Sequence, residues 1–295
     1  MGSFKRYLSN LALVLVGVGI AGSALAQATK DQQIAGTIQV GVSYQNDVSL
    51  PLYYLPAWKG GTSGEGREAA ENPMLPNHHV DSVDPVVQHT MTSSPDLLMP
   101  GTILNFDGIG FPGVGCNCAP PDTNGEVGET QYVQMVNEGF QVFNKTTGAS
   151  VLGPNSITSV WAGFGGVCET NGNGDPVVLY DQIAKRWLIS QFAGASVPTD
   201  ECIAVSTTSD ATGSFNRYAF HLGSNFYDYP HLGVWPDGYY MSMNVFNAAG
   251  TAFLGPQAFA FDRTAMLAGT PGAIFVTPGI TGGASEAPFL PSDLD

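Results

Sequence analysis

Gly174-Asp175-Pro176-Val177-Val178-Leu179-Tyr180-Asp181, then a four-residue turn, then Arg186-Trp187-Leu188-Ile189-Ser190-Gln191-Phe192: this stretch decides the fold. Each half is short, rich in β-branched and aromatic residues, and alternates with a period of two, the mark of a half-buried strand. The same pattern recurs on both sides. Asp122, Asp175 and Asp228 stand 53 residues apart. An aromatic residue follows each of them 10 to 12 positions later, at Tyr132, Trp187 and Tyr240. Each aromatic opens an alternating run, Tyr132-Val133-Gln134-Met135-Val136-Asn137 in the first unit and Tyr240-Met241-Ser242-Met243-Asn244-Val245 in the third.

Each unit divides into four strand-like pieces separated by turn signals such as Thr146-Thr147-Gly148 and Pro236-Asp237-Gly238. In the second unit the pieces are 177–180, 187–192, 202–207 and 215–220; in the third, 232–235, 239–246, 257–262 and 273–277. The first unit offers 126–128, 132–137, 139–144 and 157–161. A repeat near 50 residues made only of strands points to β-propeller blades rather than helical solenoids. The expectation is an all-β chain of four-stranded antiparallel blades, about three of them, over 120–165, 170–222 and 226–279. A fourth begins near 285–291, so the propeller is expected to be incomplete, with exposed blade edges that invite self-association.

Several of these stretches also carry a resemblance. Pro120-Pro121-Asp122-Thr123-Asn124-Gly125, Tyr132 to Asn137, Gly174 to Asp181, Arg186-Trp187-Leu188 and Asp228-Tyr229-Pro230 occur in an order that resembles a family of secreted bacterial propeller proteins, often large and often joined to adhesive modules. The resemblance covers roughly residues 100–295 and implies a fold, with little about activity. The segment from Ser206 to Phe215 is similar to the Asp-box turn of sialidase-like propellers, with an extra residue between Asp210 and Gly213. In that family the turn is structural.

The N-terminal stretch reads as a targeting segment. Lys5 and Arg6 precede an apolar run over 11–20, and Ala24-Leu25-Ala26 is a small-x-small cleavage site, so residues 1–26 are expected to be a signal peptide. The product is then secreted, periplasmic or on the cell surface, with no membrane span left after cleavage. Residues 27–100 read as a lead-in that is largely linker: Gly60 to Gly66 is Gly/Ser-rich, 68–94 is polar and Pro-containing, and one short extended element fits at 37–44.

The chain carries 25 acidic residues against 10 basic ones, two of which leave with the leader. Such a surface repels phosphate backbones and anionic headgroups, which excludes nucleic acid and anionic membrane as natural partners; cations, neutral glycans and basic proteins remain. Export favours disulfides among Cys116, Cys118, Cys168 and Cys202. Four thiols allow three pairings. The expected one joins Cys168 to Cys202, which lie at loop edges of one blade, and leaves Cys116 and Cys118 as a close pair, with a Cys-x-Cys metal site as the alternative.

The repeated acids Asp122, Asp175 and Asp228 are the catalytic or ligand-binding candidates. Placed equivalently around an axis, they would line a channel and hold a cation or a sugar; the competing reading is that each caps its own turn. Asp122, Asn124 and Glu126 alternate like calcium ligands around Gly125, and Asn171 to Asp175 does so more weakly. Calcium is the one cofactor these patterns suggest. Trp161, Trp187 and Trp235 would stack on sugar rings or fill the space between sheets. His78, His79 and His89, with Asp81 and Asp84, form a thin metal candidate in the lead-in. No nucleophile elbow, zinc-binding His-Glu-x-x-His or phosphate-binding glycine loop is present. The expected function is therefore an envelope or extracellular module that binds a glycan or protein ligand. The alternative is a carbohydrate-active enzyme, a glycoside hydrolase or polysaccharide lyase with acids in the central channel.

Overall fold

The computed structural model describes residues 38–55, 101–110, 113–114, 120–285 and 289–294. The signal peptide, the 60–66 linker, the polar stretch over 68–94 with its histidines, and Cys116 and Cys118 lie outside the described residues. What is described is all-β, and every strand pairing is antiparallel.

Two short strands come first, β1 (Gln39–Val42) and β2 (Gln45–Val48). The first sheet follows as a meander of β3 (Asn124–Val127), β4 (Gln131–Val136), β5 (Gly139–Asn144) and β6 (Ser150–Ser156). The helical turn α1 (Gly166–Thr170) leads into the second, β7 (Gly174–Asp181), β8 (Arg186–Ala193), β9 (Asp200–Ser206) and β10 (Phe215–His221). The third is β11 (Phe226–Trp235), β12 (Gly238–Phe246), β13 (Phe253–Phe261) and β14 (Ile274–Thr277), with α2 (Arg263–Leu267) between its last two strands. Its sequence pieces and those of the second sheet agree with expectation. The first sheet needs a correction: 157–161, expected as its fourth strand, is a 3-10 helix (Ile157–Trp161). The strand lies just before it, where Ser150 to Ser156 contains Gly153 and Pro154 and shows no clean alternation to read.

The sheets stack in chain order, with inner strand β3 beside β7 and β7 beside β11. Period-two alternation explains why. On β8, Trp187 and Ile189 enter an apolar core shared with Val133, Met135, Phe140 and Trp161 of the first unit. Leu188, between them, points the other way, into a core with Tyr239, Met241, Phe259 and Phe261 of the third. The middle sheet is thus buried on both faces.

The lead-in contributes more than linker. Strand β1 pairs with β14, from Gln39↔Thr277 to Val42↔Ile274. Strand β2 pairs with β10, from Val48↔Asn216 to Gln45↔Ala219. Leu52, in the following 3-10 turn, is fully buried in the core between the first two sheets. Residues 38–55 therefore run as a strap across the outer rim, giving the second and third sheets a fifth strand each. The outer edges of β10 and β14, expected to be open, are covered by it, which satisfies backbone groups that an edge leaves unpaired. Arg217 fastens the strap with a bidentate pair to Asp47, 2.8 and 2.6 Å. Tyr44 donates to Asp200 at 2.6 Å.

Residues 289–294 lie along the outer face of the third sheet. Ser242 donates to the Phe289 carbonyl at 2.5 Å, and the Trp235 indole to that of Ser292 at 2.9 Å. Among the described residues, no helix is long and apolar enough to cross a membrane.

Candidate functional site

The 53-residue spacing has a structural counterpart: Asp122, Asp175 and Asp228 come together at the inner strands. Asp122 lies two residues before β3, Asp175 is the second residue of β7, and Asp228 sits at the bulge of β11. The backbone there is unusual. Asp122 and Asp175 both have φ 43°, and Tyr229 has φ 57°, a region non-glycine residues seldom occupy. Asn137, at the end of β4, bridges two repeats. Its Nδ2 donates to Asp122 Oδ2 at 2.5 Å and to the Pro120 carbonyl at 3.0 Å, while its Oδ1 accepts the Asp175 amide at 2.7 Å. Asp175 Oδ2 in turn accepts the Tyr229 amide at 3.2 Å.

The carboxyl groups act on one another, Asp175 lying within electrostatic reach of Asp122 on one side and of Asp228 on the other. Burial, then the negative charges of Asp228 and Asp122, push the Asp175 carboxyl up to about 8. Burial, with the Asp122 charge adding, pushes Asp228 up to about 6. A positive side chain would reverse both shifts, and among the described residues each one is engaged elsewhere. Lys145 donates to the Gly128 carbonyl, Lys185 pairs with Glu129, and Arg186 holds local backbone carbonyls. Arg217 pairs with Asp47, and Arg263 with Asp181.

Behind the cluster lies Glu201 of β9, in a row with Phe192 and Gly174. It is fully buried, and neither carboxylate oxygen has a hydrogen-bond partner. Burial holds it well above the usual carboxylate range, with Asp175 pushing the same way. Ser190 lies near enough to favour its ionised form without making a bond of ordinary geometry. On the other side, Asn244 of β12 stands directly across from Asp228, only 6% exposed, with Oδ1 unpartnered. Tyr229, exposed, packs edge-on against His231 at 4.3 Å between ring centroids.

The remaining candidates fall in different places. Asn124 Oδ1 accepts the Val178 amide at 2.8 Å, and Glu126 Oε1 accepts that of Val127 at 2.7 Å, so the calcium set Asp122, Asn124 and Glu126 has its oxygens turned to amides. In the weaker loop, Asn173 Oδ1 accepts the Gly194 amide. Among the described residues, no group of three or more His, Cys, Asp or Glu side chains is disposed to hold a metal ion. Trp161 and Trp187 are fully buried between the first two sheets and have no face for a sugar. Trp235 is 36% exposed and, with Asp237, Tyr240 and Phe289, lines a groove of about 440 Å³ on the outer face of the third sheet. Asp210 accepts from Thr212 and from Gln131 of β4, so the Asp-box-like loop ties the second sheet to the first.

Cys168 on α1 and Cys202 on β9 are disulfide-bonded, with Cα atoms 5.9 Å apart. Sequence reasoning had no hold on Asn137, Asn244, Tyr229 or Glu201. The one available signal was Glu201 itself, a charge placed where the alternation of β9 puts a core residue. No family model matches the chain, and neither a curated protein nor a solved structure matches it.

Proposed function

We propose that this chain is an exported β-propeller module of about three blades that binds a glycan or protein ligand at the cell envelope or outside the cell. Three consecutive four-stranded meanders with adjacent inner strands support the blade reading. The observation that carries the binding function is the meeting of Asp122, Asp175 and Asp228, three carboxyl groups that act on one another with no compensating Lys or Arg among the described residues. Such groups are costly to the fold and useful toward a donor-rich ligand.

The test is to screen the wild-type chain and the Asp175→Asn/Asp228→Asn double variant on glycan and peptide arrays, with and without calcium. The expected result is a ligand whose signal drops at least tenfold in the variant. Silence on both arrays, with turnover of a polysaccharide, reverses the assignment.

The carbohydrate-active enzyme is the second reading. It draws on the contrast between an Asp175 carboxyl held protonated near neutral pH and a neighbouring Asp228 that ionises lower.

A further inference from the structure

We propose that the outward face of the third sheet is an interface with a second copy of this chain, which docks on it face to face about a twofold axis. The inference stands apart from the aspartate cluster and from the ligand assigned to it.

Alternation along the strands defines this face. Tyr239, Met241, Phe259, Phe261 and Phe275 point toward the second sheet. The residues between them point the other way. Cross-strand register lines up Tyr240, Ala260, Val276 and Val40 in one row, and Ile274 with Val42 in the next. In the first and second sheets the equivalent face is buried against the sheet that follows, through Val133 and Met135 in one and Leu188 in the other. In the third it is open. Ile38, Val40 and Val42 are 66, 61 and 54% exposed, and Leu290 and Phe289, in the segment that crosses the face, 68 and 41%. Four of the sheet's five strands, β1, β12, β13 and β14, carry no charged side chain.

The area favours a protein partner. At about 200 Å² for a fully exposed large side chain, these exposures, with those of Ile274 and Trp235, leave roughly 700 Å² of apolar surface. The largest apolar patch of an ordinary monomer is roughly 300–600 Å², and each partner of a standard interface buries about 800 Å². The face is larger than a monomer tolerates comfortably and close to what a stable dimer covers.

The opposite end of the stack decides which contact between copies forms. There Phe106 packs on Tyr132 and Phe143, with ring centroids 6.1 and 5.0 Å away, and the Ile109 amide donates to Gln134 at 2.7 Å. The outer face of the first sheet is thus occupied by the chain's own 106–109 segment, which blocks a head-to-tail stack. The remaining contact is third sheet on third sheet, an isologous pairing that closes at two copies. The groove of about 440 Å³ beside Trp235, Tyr240 and Phe289 gives side chains of the partner a place to enter. Charge gives the pairing a signature. Each copy carries a formal net charge of −15, so two copies repel at long range while apolar contact holds them at short range. Salt should tighten such a dimer, whereas it would weaken a basic partner on the same face.

The experiment is sedimentation velocity of the full chain over a hundredfold range of concentration, at low and at high salt. The expected result is a monomer–dimer equilibrium that shifts toward dimer as salt rises. Leu290→Glu, at an exposed position outside any strand, places like charges across the interface and should weaken the dimer at least tenfold. Val40→Glu should do the same. Ile103→Glu, an exposed position on the segment at the opposite end, should leave the dimer unchanged. A monomer throughout the range overturns the proposal, because the face is then covered from within the chain or kept for another partner. A dimer that neither Leu290→Glu nor Val40→Glu weakens overturns it too, as does one that Ile103→Glu alone weakens, which would place the contact at the first sheet. Species that keep growing beyond the dimer overturn it in favour of open stacking.

Discussion

The two junctions between sheets do the same job with different chemistry. Between the first and second sheets, Trp161, Trp187, Val133 and Met135 pack around small residues such as Ala193, Ala204 and Ala219, and the Cys168–Cys202 disulfide, which ties α1 to β9, lies in the same core. Between the second and third, the filling is heavily aromatic: Phe220 meets Phe261 at 5.0 Å and Phe275 at 5.9 Å between ring centroids, mostly edge to face. Among the described residues that seam has no covalent tie. It has a buried ion pair, Asp181 with Arg263, in which Asp181 also accepts from Tyr239 at 3.0 Å and from the Ala184 amide at 2.8 Å. Burial alone would raise the Asp181 carboxyl. Bonds from Arg263 and Ala184, with the Arg263 charge, outweigh it and hold the group below its ordinary range. A disulfide stabilises by restricting the unfolded chain, whereas a buried pair stabilises only while both partners are present.

That contrast breaks most visibly at the ion pair. Asp181→Ala leaves Arg263 buried without its counter-ion and should cost about 3–5 kcal/mol in urea denaturation. The apolar double variant Asp181→Leu/Arg263→Met should recover most of the loss. If the single variant is as stable as wild type, the second junction does not depend on its charges. At the first junction, Cys168→Ser with Cys202→Ser opens a loop with a sequence separation of 34 and should cost about 2–4 kcal/mol. The sharper form of this test is that dithiothreitol lowers the melting temperature of wild type and of Asp181→Ala alike. Leu52→Ala removes the strap's anchor in the same junction, for about 2–4 kcal/mol by equilibrium denaturation.

The smallest expected effect concerns Asp175, which touches both neighbouring repeats. Its folded value, about 8, and that of Asp228, about 6, are above those of a free carboxylate. The native state therefore holds protons the unfolded chain has released. This contribution is full below the ordinary carboxylate range and is lost as pH rises through 6 and 8. Wild type should be less stable at pH 8.5 than at pH 5, and Asp175→Asn should flatten that slope by about 1–2 kcal/mol, allowing for partial exposure. Identical slopes in the two proteins would show that these shifts carry no stability.

What could be read from the residues followed local periodicity. The alternation of Tyr132 to Asn137, Trp187 to Phe192 and Tyr240 to Val245 yielded three sheets, and the 53-residue recurrence of aspartate anticipated a common place for them. The Cys168–Cys202 bond was legible because both cysteines flank one sheet. The strap was only half legible. The apolar alternation at Val40 and Val42 suggests a strand, but nothing local says that its partner is Ile274 to Thr277. Asp181 and Arg263 were missed for the same reason, since pairing across 82 positions depends on how sheets stack. The first sheet's fourth strand was misplaced because Ile157 to Trp161 is apolar enough to look like a strand while its glycine- and proline-bearing neighbour is not.

The strap has a consequence for how the chain reaches this state. An array of stacked repeats touching only their neighbours can form from any point and melt from either end. Here Gln39 must find Thr277, and Val48 must find Asn216. Contacts of such sequence separation slow the search, because the loop has to close before the pairing rewards it. In a nascent chain β2 has no partner until β10 of the second sheet has been made, and β1 none until β14 of the third. Once they dock, fraying of the third sheet must first peel the strap. The stack then exchanges end-by-end melting for a single cooperative transition, in which amide protons of β1 and β14 are released together with those of the centre.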